Sequence, residues 1–204
     1  MTTKYGFSNA QEALVEDLKG AYPTKWEEFE MTKVLGEDVF GLPKPHPSAV
    51  LYLFLEQSIK FALPLAAYRA GLGGPSALAS EKPYMVFPRL TLAAIIHEMG
   101  EMRRVMAYAA QTIAYTWDLL VCPKRVCALY IGTGPAERRV EVLKKISVVI
   151  AKKSEGDMLS SLLFGNLLCV GCAERLTNGH RACCKEFVWA RLPCLLGWEN
   201  WEGV

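Results

Sequence analysis

The residues best suited to chemistry are cysteines. Seven thiols stand at positions 122, 127, 169, 172, 183, 184 and 194, all in the second half of a 204-residue chain. Cys169-Val170-Gly171-Cys172 has the C-x2-C spacing of a zinc knuckle, Cys122 and Cys127 make a looser C-x4-C pair, and His180 follows nearby. Four thiolates from two such pairs suit a closed tetrahedral zinc site, since a structural zinc ion fills all its positions with protein ligands. Cysteine is equally a small, often buried hydrophobe, and this plainer reading is preferred: no metal ligand is assigned and no cofactor is expected. A thioredoxin-type role for Cys169 and Cys172 needs the motif to follow a strand, and Asn166-Leu167-Leu168 offers no such context. Cys183 and Cys184 are adjacent, so on a helix they point about 100° apart, one packing inward and the other facing out.

The other candidates weaken on their spacing. His97-Glu98 begins like the helical zinc-protease motif H-E-x-x-H, but position 101 is Glu, so the second ligand is missing. His97 and Glu101 are instead expected to form a surface pair worth roughly 0.2–0.5 kcal/mol. His46, between prolines, is expected to cap the helix after it. Gly71-Leu72-Gly73-Gly74 and Gly132-Thr133-Gly134 lack the Lys-Ser/Thr ending of a phosphate loop and read as turns. There is no G-x-S-x-G elbow, and three histidines are a thin supply of general bases. No catalytic residue is assigned, and the chain is not expected to be an enzyme. The competing hypothesis is a site assembled from scattered Glu, Arg and Tyr.

Composition narrows the field further. With 51% hydrophobic and 22% charged residues the chain can bury a sizeable core. Twenty-three basic against 21 acidic residues gives a net charge of +2, far from the concentrated basic surface that phosphate neutralisation requires. Nucleic acid is therefore not an expected partner. Nor is a membrane: the segment from Met158 to Ala173 contains Asn166, two Ser and two Gly, short of the ~20 apolar residues a spanning helix needs. No apolar leader follows Met1, so a cytoplasmic or nuclear location is expected, with reduced thiols.

The elements that must position these residues all read as helices. Ser8-Asn9-Ala10-Gln11 has the form of a capping box and predicts a helix from Ser8, striped by Ala10, Leu14, Leu18 and Ala21 and stopped by Pro23. Thr24 to Glu27 repeats the pattern and opens a short helix leaning on Trp26. Pro43, Pro45 and Pro47 favour an extended link, read as a boundary between 1–42 and 43–204. Pro47 at a first helical position favours a buried helix from Ala49 towards Ile59. Pro64 opens another over Leu65 to Ala70, closed by Gly71 in a left-handed C-cap. Leu92, Ile95, Ile96, Met99, Met102, Met106, Ala109 and Ile113 keep helical spacing over the longest helix, or two in line, with Gly100 as the weak point.

After Gly132 to Pro135, Val140, Leu143, Ile146, Val149 and Ile150 form a stripe opposite Lys144, Lys145, Lys152 and Lys153, an amphipathic surface helix. A short helix is expected near Met158 to Phe164, then a terminal helical segment from Cys169 to Leu192 striped by Cys172, Leu176, Cys183 and Phe187. The aromatic tail, Phe187 to Trp201, is expected to fold back over the core. The fold class is all-α: an irregular array of short helices with one long central helix and an amphipathic C-terminal helix.

Several segments resemble the C-terminal part of fungal, mushroom-type BTB/POZ-domain proteins. The resemblance is carried by Thr3-Lys4-Tyr5-Gly6-Phe7, by Leu18 to Phe29 with its Tyr22-Pro23-Thr24 step, and by Leu63-Pro64-Leu65-Ala66-Ala67-Tyr68. In the tail, Cys169-x2-Cys172, His180, Trp189, Leu192-Pro193, Leu196-Gly197-Trp198 and Trp201 look like the family's ending. It implies that residues 1–42 correspond to the helices ending a BTB domain and that the chain binds other proteins without catalysis. The strand-and-helix core of such a domain is missing, so a truncated product or a fragment is expected. The alternative is a zinc-stabilised regulatory module using the Cys122/Cys127 and Cys169/Cys172 pairs.

Overall fold

The computed structural model describes residues 4–35, 46–78, 89–116, 122, 136–160 and 168–203. Every element among them is helical, as the periodicity predicts: α1 (Lys4–Ala21), α2 (Trp26–Leu35), α3 (Pro47–Glu56), α4 (Leu63–Leu72), α5 (Gly74–Leu78), α6 (Arg89–Thr116), α7 (Ala136–Glu155) and α8 (Val170–Cys183). Short 3-10 turns cover Lys60–Ala62 and Trp201–Gly203, and α8 continues through a π-helical turn at Cys184–Val188 into a 3-10 segment at Trp189–Leu196. The chain forms two compact units, residues 1–99 with 192–204 and residues 100–191. The prolines expected to mark the boundary after residue 42 fall within the first of these; Gly41 to Pro45 lie outside the described residues.

In the first unit α4 is the central element. Leu63, Pro64, Leu65, Ala66, Ala67, Tyr68, Ala70 and Gly71 are all buried, the signature of a helix enclosed on nearly every side. It packs against α3, whose Leu51 and Phe54 are buried. Leu53 on the other side of α3 is exposed, so that helix is not enclosed all round as its unbroken apolar run suggested. Pro47 occupies the first turn as expected, its φ already helical. His46 does cap α3, but through its carbonyl, which accepts from the N–H groups of Ala49 and Val50 at 2.9 and 3.2 Å, and not through its ring.

Gly71 was expected to end α4 in a left-handed turn; it lies inside the helix. A Cβ there would sit 2.9 Å from Met99 Cγ and 3.3 Å from Ile95 Cγ2, so any larger residue must push these α6 side chains aside. The glycine after α4 that takes a left-handed conformation is Gly74, at φ 77°, which opens α5. Gly71→Val should therefore cost ~1–3 kcal/mol by overpacking, measured by denaturant unfolding. Because the methionine is the neighbour displaced, Gly71→Val combined with Met99→Ala should cost less than the two changes summed.

α1 starts at Lys4, four residues before the predicted cap. Ser8 and Asn9 are helical because nothing from Lys4 to Phe7 forces the backbone out of the helix; a capping sequence permits a start without compelling one. α2 leans on Trp26 as expected: Trp26 and Phe29 are buried, their rings 5.8 Å apart. α6 is a single unbroken helix of 28 residues, and Gly100 within it faces open space. Ile95, Met99, Met102, Met106 and Ala109 form its buried stripe, while Ile96 is largely exposed.

In the second unit α7 buries Ile146 and Ile150 and leaves Val140, Lys144, Lys145 and Lys152 in solvent. Val140 thus lies outside the buried part of the predicted stripe. Residues 156–160 form a turn and not the start of the expected helix, tied by Asp157, whose carboxylate accepts from the Leu159 N–H at 3.1 Å. Phe164 lies outside the described residues. Among those described, no helix is long and apolar enough to cross a membrane.

A cysteine cluster as candidate functional site

α8 begins at the C-x2-C motif. Cys169 is the N-cap, in extended conformation, and its carbonyl accepts from Cys172 and Ala173 N–H at 3.0 and 2.9 Å. Cys169 thus sits at the N-cap and Cys172 in the first helical turn, where the positive end of the helix dipole favours negative charge. Cys122 comes to the same place from the segment between α6 and α7. The sulfurs of Cys122, Cys169 and Cys172 all lie within 4.8 Å of one another. Cys122 Sγ and Cys169 Sγ are 3.6 Å apart, and both belong to unbridged thiols. Cys122 and Cys172 are buried; Cys169 is half-exposed.

Three of the four thiols paired by their spacing in the sequence are therefore brought together, though the sequence reading preferred them as packed thiols with no ligand role. Cys127, the fourth, lies outside the described residues. His180 does not join them. Buried eight positions further along α8, its ring lies against Cys184, with Nδ1 3.4 Å and Nε2 3.7 Å from the sulfur. The Cys184 thiol donates to the Met158 carbonyl at 3.1 Å, which ties the turn at residues 156–160 to the helix end.

Cys184 is buried and Cys183 only half-buried, the division expected of adjacent helical residues. The sequence, however, put Cys183 and Phe187 on the inner stripe. The structure buries Cys172, Leu176, His180, Cys184 and Val188, spaced four apart, and leaves Phe187 partly exposed. A regular α-helix drifts about 40° with every four residues. The π-helical turn corrects this: Trp189 N–H bonds to the carbonyl of Cys184, five residues back, as well as to that of Lys185, and the wider turn re-aims the following side chains. Burial, followed by the Glu186 carboxylate, pushes the Cys183 thiol above its ordinary range, which slows its reaction as a nucleophile at neutral pH.

The histidine-glutamate pairing predicted on α6 is rearranged. His97 Nε2 lies 4.0 Å from Glu98, while Glu101 pairs with Arg104 one turn on. Both contacts are local to α6, and His97 itself is in solvent. Among the described residues, Lys19 with Glu16, Lys25 with Glu28 and Lys145 with Glu141 are also local pairs. No family model, curated protein or solved structure matches the chain.

Proposed function

We propose that the chain is a non-catalytic helical module that works by binding other proteins in the cytoplasm or nucleus, as its resemblance to the C-terminal part of fungal BTB/POZ proteins implies. The observation that supports this is the apolar stripe of α1. Leu14 is 58% exposed, Ala21 is exposed and Leu18 is only half-buried. An amphipathic helix gains most of its stability from covering such a stripe, and a partner would cover the exposed part at Leu14 and Ala21. The reading with structural zinc adds a ligand to the same module, favoured by the convergence of Cys122, Cys169 and Cys172.

Leu14→Asp provides the test, because a charge at so exposed a position leaves folding intact. Affinity capture from cells with the wild-type chain and the variant, alongside a version extended by a BTB core, should show proteins retained by wild type and lost from Leu14→Asp, at equal melting temperature. Identical sets of captured proteins would refute the interaction role of α1.

A further inference from the structure

We propose that Cys122, Cys169 and Cys172 are three ligands of a structural zinc ion in the second unit. The inference is independent of the partner-binding reading, since an ion can hold this unit together whether or not α1 binds a protein. Its first support is distance. Four sulfurs placed tetrahedrally 2.3 Å from zinc are about 3.8 Å apart along each edge, and the Cys122 and Cys169 sulfurs are 3.6 Å apart, with all three within 4.8 Å. Cys122 and Cys169 stand at the spacing of a tetrahedral edge, and the Cys172 sulfur lies close enough to complete the set with a small shift.

Its second support is donor type. A set made only of thiolates suits zinc, cuprous copper or an iron–sulfur cluster and not calcium or magnesium, which take oxygen. Zinc is the choice because a C-x2-C knuckle joined by a distant cysteine is the ligand pattern of structural zinc sites. The third support is electrostatic. Three thiolates around a dication leave net negative charge, and the site is built on the first turn of α8, where the helix dipole offsets it. Half-exposed Cys169 gives the ion a way in, while Cys122 and Cys172 shield it.

The site also explains what holds residue 122. Cys122 and Cys169 are 47 residues apart, and a shared ion would fasten the segment after α6 to the start of α8. Closing so long a loop restricts the unfolded chain and couples metal binding to folding.

The full chain, prepared under reducing conditions without added metal, should carry about one zinc per molecule by elemental mass spectrometry. Cys122→Ser, Cys169→Ser and Cys172→Ser should each lose it, and Cys194→Ser, outside the cluster, should keep it. Because a buried Cys→Ser change can unfold the unit by itself, the wild-type chain is also stripped and titrated with cobalt(II). Strong sulfur-to-cobalt charge-transfer absorption with the visible bands of tetrahedral cobalt is expected, displaced by added zinc. The proposal is overturned if the wild-type chain carries no zinc and gives no such absorption, if it carries copper or iron instead, or if peptide mapping finds a Cys122–Cys169 disulfide in the isolated protein.

Discussion

Removing residues 192–204 should abolish cooperative folding of the first unit. These residues belong with residues 1–99 and not with the helical segment that leads into them. Leu192 and Leu195 are wholly buried, and Pro193 between them is buried too. Truncating one buried leucine to alanine costs ~2–5 kcal/mol, against a total stability of roughly 5–15 kcal/mol for a domain. Deleting both, with the chain that carries them, takes away a large part of that margin. A shorter truncation, 197–204, removes Trp198 and Trp201, which are only partly buried, so it should lower the melting temperature by much less. Leu195→Ala alone should cost ~2–5 kcal/mol. Thermal unfolding followed by circular dichroism separates these cases. A melting temperature unmoved by the longer truncation would mean that the tail does not hold the first unit together.

The tail shows what was and was not legible in the sequence. Density of large apolar residues correctly gave its burial, but not which residues carry it. Trp189, Leu192 and Leu195 are buried, while Trp198 and Trp201 stay half in solvent. Hydrophobic spacing at 3.6 residues per turn placed Cys183 and Phe187 inside, one residue before the buried Cys184 and Val188; the first slip lies within α8, and the π-helical turn at Cys184–Val188 then carries the buried row on to Val188. No composition signal marks such a turn. Helix existence was legible wherever apolar residues recur over many turns, as in α6.

Glycine was read less well, since Gly71 and Gly74 look alike in sequence. One is favoured by Met99 packed against it and the other by a positive φ, and only the three-dimensional structure tells them apart. The cysteine cluster was half legible. Spacing named all three thiols and paired Cys169 with Cys172, but the approach of Cys122 from 47 residues away is a product of the fold.

Phe54→Ala should destabilise the first unit by ~3–5 kcal/mol. Phe54 is 3% exposed on α3, and its ring meets Tyr22 edge-on at 4.9 Å and 83°. Tyr22, in the turn after α1, also carries the Arg69 guanidinium of α4 4.7 Å from its ring centroid. One tyrosine thus joins the end of α1 to two helices, through an aromatic pair worth ~0.5–1.5 kcal/mol beyond its buried area and a cation–π contact worth ~0.5–2 kcal/mol. Phe54→Leu keeps much of the apolar volume and loses the ring, so it should cost less than Phe54→Ala. A double-mutant cycle of Phe54→Leu with Tyr22→Leu isolates the pair, and denaturant unfolding should give a coupling of ~0.5–1.5 kcal/mol. Strictly additive costs would mean that the two rings touch without stabilising each other, and Phe54 would then act only as filler between α3 and α4.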